Sequence, residues 1–420
     1  MNIIFLSLII YTYEKITFIF NTSIQNGSFY ERNIDNIMIT NIQVGQPKVA
    51  IPFQITIRQF PFLIADIFSN VRKDIPLYNP SRSSTYYENE FAGPVGFNTE
   101  DYFKVAFIAR EDFQFSEEKL KGEQFNFFLV REVKKNFSAL LGLSIFKNER
   151  YDKFGFMNQI KKSKLIKKQI FYFNFEENKL IFDDYPHISY PKKYIEKNYC
   201  SVKAYFEFNV QNYDIMFDNV TFNKNGFIES EQIVELNIES GLFKGNSKFG
   251  KYLSEKYFTK YSDCEKVIIM NKYYSYVCSK KNAMNNFENI EFNLKDKKMA
   301  FYLTKKELFK EEDGKYYFLM YFNEKEDLRW SFGKNFFVNN MIIFDVDKKE
   351  IGFYFEQKLF QYNTGWFILI IIVLIIFIVV LGGFLYYHII NKPRKKRANE
   401  LEDNYEYFTQ INEGNKIYLK

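Results

Sequence analysis

The run WFILIIIVLIIFIVVLGGFLYYHII, Trp366 to Ile390, constrains the fold more than any other stretch of the chain. It carries no formal charge at neutral pH and is long enough to cross a ~30 Å hydrocarbon core with some tilt. A folded domain must therefore be built from what precedes it. Lys392, Arg394, Lys395, Lys396 and Arg397 follow at once, and this positive cluster places the 391–420 tail in the cytoplasm. At the other end, Ile3 to Ile10 is a short apolar core that suits a signal peptide ending near residue 15 better than a second span. These ends predict a single-pass type I protein of the secretory pathway. The remaining luminal or extracellular part is long enough for one large or two medium domains.

The net charge of +6 comes partly from the juxtamembrane cluster, and no regular basic stripe runs through the rest, so nucleic acid is not an expected partner. Cys200, Cys264 and Cys278 lie where disulfides are permitted. Cys264 and Cys278 enclose EKVIIMNKYYSYV, a hairpin-like segment, and are the natural pair; closing that loop is worth roughly 3 kcal/mol in the chain-entropy treatment. Cys200 is left over. Asn-x-Ser/Thr sequons occur at Asn21, Asn26, Asn136 and Asn219, with Asn26 and Asn219 the expected glycan sites. Only His187 and His388 exist, and no CxxC pair, HExxH, glycine-rich phosphate loop or dinucleotide fingerprint appears. Neither a metal nor a cofactor is expected.

Short apolar or alternating runs dominate the region before the span: NIMITNIQVG, DYFKVAFIA, FNFFLV, KQIFYFNF, NKLIF, YFEFNV, YDIMFDNVTF, KKMAFYL, KYYFLMYF and NNMIIFDVD. FGFMNQIKKSKLI and KFGKYLSEKYFTKY have helical spacing. The pattern predicts an all-β domain with few short helices, and the polar YPHISYPKKYIEKN as a crossing segment between two lobes.

Seven blocks in order then resemble the pepsin-like aspartic proteases (peptidase family A1). NIQVGQPKVAIPFQI is similar to their opening strand and Gly-x-Pro turn, and LYNPSRSSTY to their Pro-Ser-x-Ser-Ser-Thr-Tyr segment. GPVGFNTEDYFKV and NFSALLGLS resemble the next strand and the Leu-Gly-Leu element. FMNQIKKSKLIKKQIFYFNF, NFENIEFNLKDKKMAFYL and WSFGKNFFVNNMIIFDVDKKEIGFYF complete the series. The resemblance implies a bilobal pepsin-like fold, with an N-terminal β lobe over 30–190, a C-terminal β lobe over 198–357, and a cleft between them. Leu140-Leu141-Gly142 and Phe332-Gly333 are then two copies of one apolar-Gly element, each allowing close backbone approach.

Members of that family activate water with two aspartates, one per lobe, in Asp-Thr/Ser-Gly elements, which share a proton because they cannot both ionise. No such element occurs here. Counting from Gly45 and Pro47 puts Thr56, Ile57 and Arg58 in the first place. In the second, Glu239-Ser240-Gly241 fits with a gap, whereas an ungapped reading puts Glu235 there. A threonine hydroxyl is no carboxylate base. Only residues 87–92 separate Tyr86 from Gly93, which reads as too short for the hairpin flap that closes the family's cleft, and residues 14–37 as too short for its inhibitory prosegment. Arg58 needs a partner if it faces the cleft, and Glu239 is the expected one.

The expected function is that of a membrane-anchored pseudo-protease binding a peptide or protein ligand through its interlobe cleft, lined by Arg58, Ser240 and Gly241. The alternatives are an aspartic endopeptidase with residual activity, using Glu239 and a second acid such as Asp66, and a structural surface or vacuolar glycoprotein. In the charged tail, expected to lack regular structure, Tyr405-Glu406-Tyr407-Phe408 has the Tyr-x-x-apolar form of a sorting signal. It leaves the final membrane, plasma or endosomal/vacuolar, open.

Overall fold

The computed structural model describes residues 16–23, 27–58, 62–69, 76–91, 103–115, 121–133, 137–144, 153–207, 210–223, 226–294, 299–354 and 364–415. The signal-peptide segment and Asn26 lie outside them, as does Asn136. Residues up to Tyr354 form one compact unit and those from Phe355 a second.

The first unit is mostly β, as its alternating runs require. Along Ile37–Val44, Met38, Thr40, Ile42 and Val44 turn inward, and the residues between them stay partly or fully exposed. This strand belongs to an eight-stranded sheet ordered 21–23, 37–44, 49–56, 139–142, 63–65, 121–133, 103–114 and 87–91. Phe53, Phe62, Phe113 and Phe127 fill its core. The larger second sheet is centred on 210–222, 227–236, 330–332, 243–244, 320–323 and 273–278. A six-stranded sheet draws on both halves of the chain, in the order 17–19, 179–182, 170–174, 342–345, 350–354 and 199–203. Ile16, Phe18 and Phe20 are buried, so the fold begins by residue 16.

The two large sheets repeat one arrangement. In the first, 139–142 lies parallel to 49–56 and antiparallel to 63–65, which is parallel to 121–133. In the second, 330–332 lies parallel to 227–236 and antiparallel to 243–244, which is parallel to 320–323. Each copy therefore wedges a short apolar strand between the strand entering a loop and the strand leaving it.

The hairpin expected to be missing is present. Tyr87–Phe91 is itself a strand, paired antiparallel with Phe103–Gln114 from Tyr87 opposite Arg110 to Phe91 opposite Phe107. The segment read as a spacer is the hairpin's first arm; residues 92–102, which join the arms, lie outside the described residues. Cys264 and Cys278 are bonded, facing each other across the 264–269 and 273–278 hairpin. Cys200 is a half-buried free thiol on the 199–203 strand. Asn219 sits half-buried on the interior strand 210–222, its Oδ1 accepting from Asn293 Nδ2 at 3.0 Å.

In the second unit, Thr364–Leu385 is a helix of 22 residues, and the apolar segment is long enough to cross a membrane. A wider helical turn at Tyr386–Asn391 leads into a further helix, Lys392–Asn415. The segment expected to lack regular structure is thus helical, with Tyr405 exposed on it.

Candidate functional site

The two loop-entering strands end at equivalent places. Thr56 is opposite Gly142 in the parallel register of 49–56 with 139–142. In the second sheet Leu236 is opposite Phe332, and continuing that register by one residue sets Asn237 against Gly333; Asn237 N donates to Phe332 O at 2.9 Å. The side chains repeat the correspondence. Thr56 Oγ1 accepts from the backbone N–H of Arg58 at 3.1 Å, and Asn237 Oδ1 from that of Glu239 at 3.0 Å. Thr56-Ile57-Arg58 and Asn237-Ile238-Glu239 are therefore two copies of one turn, each with a buried polar residue, a buried isoleucine and a charged residue.

This register corrects the sequence reading of the second element. Neither Glu239 nor Glu235 stands opposite Thr56's counterpart glycine; Asn237 does. Glu239 is two residues further on, with Oε1 buried and without a hydrogen-bond partner. Ser240 and Gly241 follow it, and here the N-terminal segment closes in: Gly241 N donates to Asn33 O at 2.7 Å and Asn36 N to Glu239 O at 2.7 Å. Glu235 is two residues before Asn237, within the strand.

The ion pair forms with a different glutamate from the one expected. Arg58 Nη2 lies 3.0 Å from Glu235 Oε1, not from Glu239. A guanidinium on the loop of the first sheet thus meets a carboxylate on a strand of the second. Directly across the strand pair from Glu235 is Asp214, 4 % exposed, whose Oδ1 makes no hydrogen bond. Burial pushes the Asp214 carboxyl up to about 7, with the charge of Glu235 adding to the rise and Arg58 opposing it. Tyr213 joins the halves as well, its hydroxyl donating to Leu143 O at 3.3 Å. Asp66, the other acid considered, is fully buried and held at 3.0 Å by Nε of Arg131, whose Nη2 reaches Glu88 at 3.1 Å.

What this arrangement can do follows from its donors. A hydroxyl and a carboxamide both lack an ionisable proton near neutral or acidic pH, so Thr56 and Asn237 cannot share a proton or act as acid and base. Among the described residues no cluster of His, Cys, Asp or Glu is placed to hold a metal ion. The backbone around the site is nonetheless tightly determined. A Cβ on Gly333 would meet Leu242 O at 2.1 Å and Ser240 O at 2.6 Å. Both are backbone atoms and cannot step aside cheaply, so Gly333→Ala is expected to lower stability by about 2 kcal/mol, read from its chemical denaturation midpoint.

Asn237 and Asp214 are the site residues that sequence reasoning missed. The signal for Asn237 was the internal repeat Thr-Ile-Arg against Asn-Ile-Glu, each one register step from an apolar-Gly element. Asp214 had no local signal, because its importance comes from the residue across the sheet.

Two copies of a glycine-backed turn, one on each of two β-sheets, define the class of the pepsin-like aspartic proteases. The family model of eukaryotic aspartyl proteases matches residues 66–354, and the chain belongs to that family. The match begins at Asp66, beyond the Thr56–Arg58 turn. No curated protein matches the chain.

Proposed function

We propose that this protein is a membrane-anchored pseudo-protease that binds a peptide or protein ligand through the cleft between two β lobes, residues 30–190 and 198–357. The observation that carries the reading is the pair Thr56 and Asn237 at the two loop positions set against Gly142 and Gly333. General acid–base hydrolysis of a peptide needs a group that can take a proton from water, and neither side chain can. Arg58 and Glu239, in the third place of each turn, add side chains where the family has glycine. Ser240 and Gly241, expected to line the cleft with Arg58, are buried, with Gly241 bonded to Asn33, so the binding surface in this reading is left to the partly exposed Arg58 and Glu239.

In this reading residues 1–15 are a signal peptide and the apolar segment Trp366–Ile390 spans a secretory-pathway membrane in type I orientation. The protein then resides at the plasma membrane or in endosomal or vacuolar membranes, with residues 391–420 in the cytoplasm. Full-length protein in detergent is expected to leave acid-denatured globin uncut between about pH 2 and 5, the range where a family dyad would hold one proton. Cleavage that is blocked by a statine-type inhibitor and lost in Glu239→Gln would establish the residual endopeptidase instead. A chain that neither cuts globin nor crosslinks to any ligand in cells would leave the structural glycoprotein.

A further inference from the structure

We propose that residues 185–199 are a membrane-docking surface, which settles into the phospholipid headgroup layer of the bilayer that the apolar C-terminal segment crosses. The inference rests on the reading of that segment as a span, and not on the pseudo-protease reading.

The six-stranded sheet has two unlike faces. Phe171 and Phe344, stacked with centroids 4.7 Å apart, turn into the core beside Tyr213. Ile170, Tyr172, Ile181 and Ile343 form a second cluster, over which Tyr185, Tyr190, Tyr199 and Tyr354 pack. This roof is one connected set of rings: Tyr185 lies 5.7 Å from Tyr199, Tyr199 5.5 Å from Tyr354, and Tyr354 5.1 Å from Tyr194. Each ring is half-buried, covering the sheet with one side and leaving the other to solvent. Beyond the roof stand Ile188, 57 % exposed, and Ile195, 48 % exposed. Lys192, Lys193 and Lys197 are exposed beside them, three lysines against the single Glu196. Lys193 reaches Glu176 at 2.5 Å yet keeps about half of its side chain in water.

A lone exposed isoleucine needs no explanation. Two on one short segment, over a floor of tyrosines and among lysines, have the composition of an interfacial anchor. Isoleucine favours the acyl boundary, the phenol ring has an apolar body and a polar tip, and lysine reaches past both to lipid phosphate.

The path of the chain decides the partner. Tyr354, part of the roof, ends the last strand of the first unit, and the apolar segment starts at Trp366. Whatever route they take, residues 355–365 cannot bridge more than about 40 Å. A domain of this length is about 50 Å across, so the roof cannot be carried to the side remote from the bilayer. Tethered this closely, it meets lipid at high effective concentration, and weak contacts suffice.

The test is lipid quenching on the full-length protein in phosphatidylcholine nanodiscs. In a Cys200→Ser background, Ile188→Cys, Ile195→Cys and, as a control on the second sheet, Ile228→Cys each receive one fluorophore; Ile228 is 62 % exposed. Phosphatidylcholine with a nitroxide high on its acyl chain is expected to quench the labels at 188 and 195 at least threefold more than the label at 228. Equal quenching at the three positions, or none at 188 and 195, would overturn the docking. Should that background not fold, hydrogen exchange compares wild type with the double variant Ile188→Glu, Ile195→Glu in the same nanodiscs. Amides of 186–198 are expected to exchange at least threefold faster in the double variant, and equal rates count against the docking. A chain that alkaline carbonate strips from membranes lacks the span and takes the docking with it; an integral chain with unquenched labels sinks the docking alone.

Discussion

Trp330→Ala is expected to cost about 3–5 kcal/mol and to lower the thermal midpoint by on the order of 10 °C. Trp330 is fully buried on the wedge strand of the second sheet, and its ring packs against Phe249 and Phe292 with centroids 5.2 and 5.1 Å away. Its Nε1 donates to Gln232 Oε1 at 3.0 Å, and that same oxygen accepts from Asn246 at 2.9 Å. Asn246 in turn caps the Ser247–Tyr252 helix by accepting from Phe249 N. Truncation to alanine thus opens a large cavity and loosens a polar chain that fixes a helix start. The effect extends to the Asn237 turn, because Trp330 is three residues before Gly333 on the strand that positions it. Trp330→Phe keeps most of the packing but forfeits the hydrogen bond, and is expected to lose about half as much. Calorimetry on the full-length protein reads both; equal losses from the two variants would assign the effect to the hydrogen bond rather than to volume.

Much of the β architecture is legible in the sequence wherever one face of a strand is buried and the other wet. Ile37–Val44 shows the alternation plainly. The strand Phe227–Leu236, FIESEQIVEL, does not: its glutamates look like a solvated segment. They are accommodated because partners from elsewhere meet them, Lys248 for Glu229 at 2.9 Å and Arg58 for Glu235 at 3.0 Å, and because eight of its ten residues are paired in register with 210–222. The same limit governs the site. Thr56 can be found by counting from the Gly45 turn, since that stretch is continuous. Asn237 cannot be found by looking for an acid, which draws the eye to Glu235 and Glu239 on either side of it. Only register against Gly333 separates the three. The hairpin of 87–91 was misread for a related reason: YENEF is too polar to announce a strand, and its pairing with 107–110 supplies what its own pattern lacks.

Arg58→Met has a loss whose size depends on pH, and the sign follows from the cluster. Removing the guanidinium leaves Glu235 and Asp214 side by side with no cation in the set, so the folded state must either hold two buried carboxylates or bind a proton. Since Arg58 opposes the rise of the Asp214 carboxyl, its loss raises that carboxyl further above the about 7 of the wild type. A raised folded-state acid contributes stability that is complete below its ordinary range, near 4, and is lost as pH climbs through the folded value. The variant is therefore expected to be least impaired at pH 5, where one carboxyl is protonated, and most impaired at pH 8. At pH 8 the cost is about 3 kcal/mol, at the low end for a broken buried pair because the Arg58 side chain is 33 % and that of Glu235 19 % exposed. Adding Glu235→Met to Arg58→Met removes the neighbouring charge and is expected to recover most of the loss, flattening the pH profile. Urea unfolding of wild type and both variants at pH 5 and 8 measures the four differences. A single variant equally impaired at both pH values, or a double variant worse than the single, would mean that Arg58 supports the fold by packing its stem rather than by answering the two carboxyl groups.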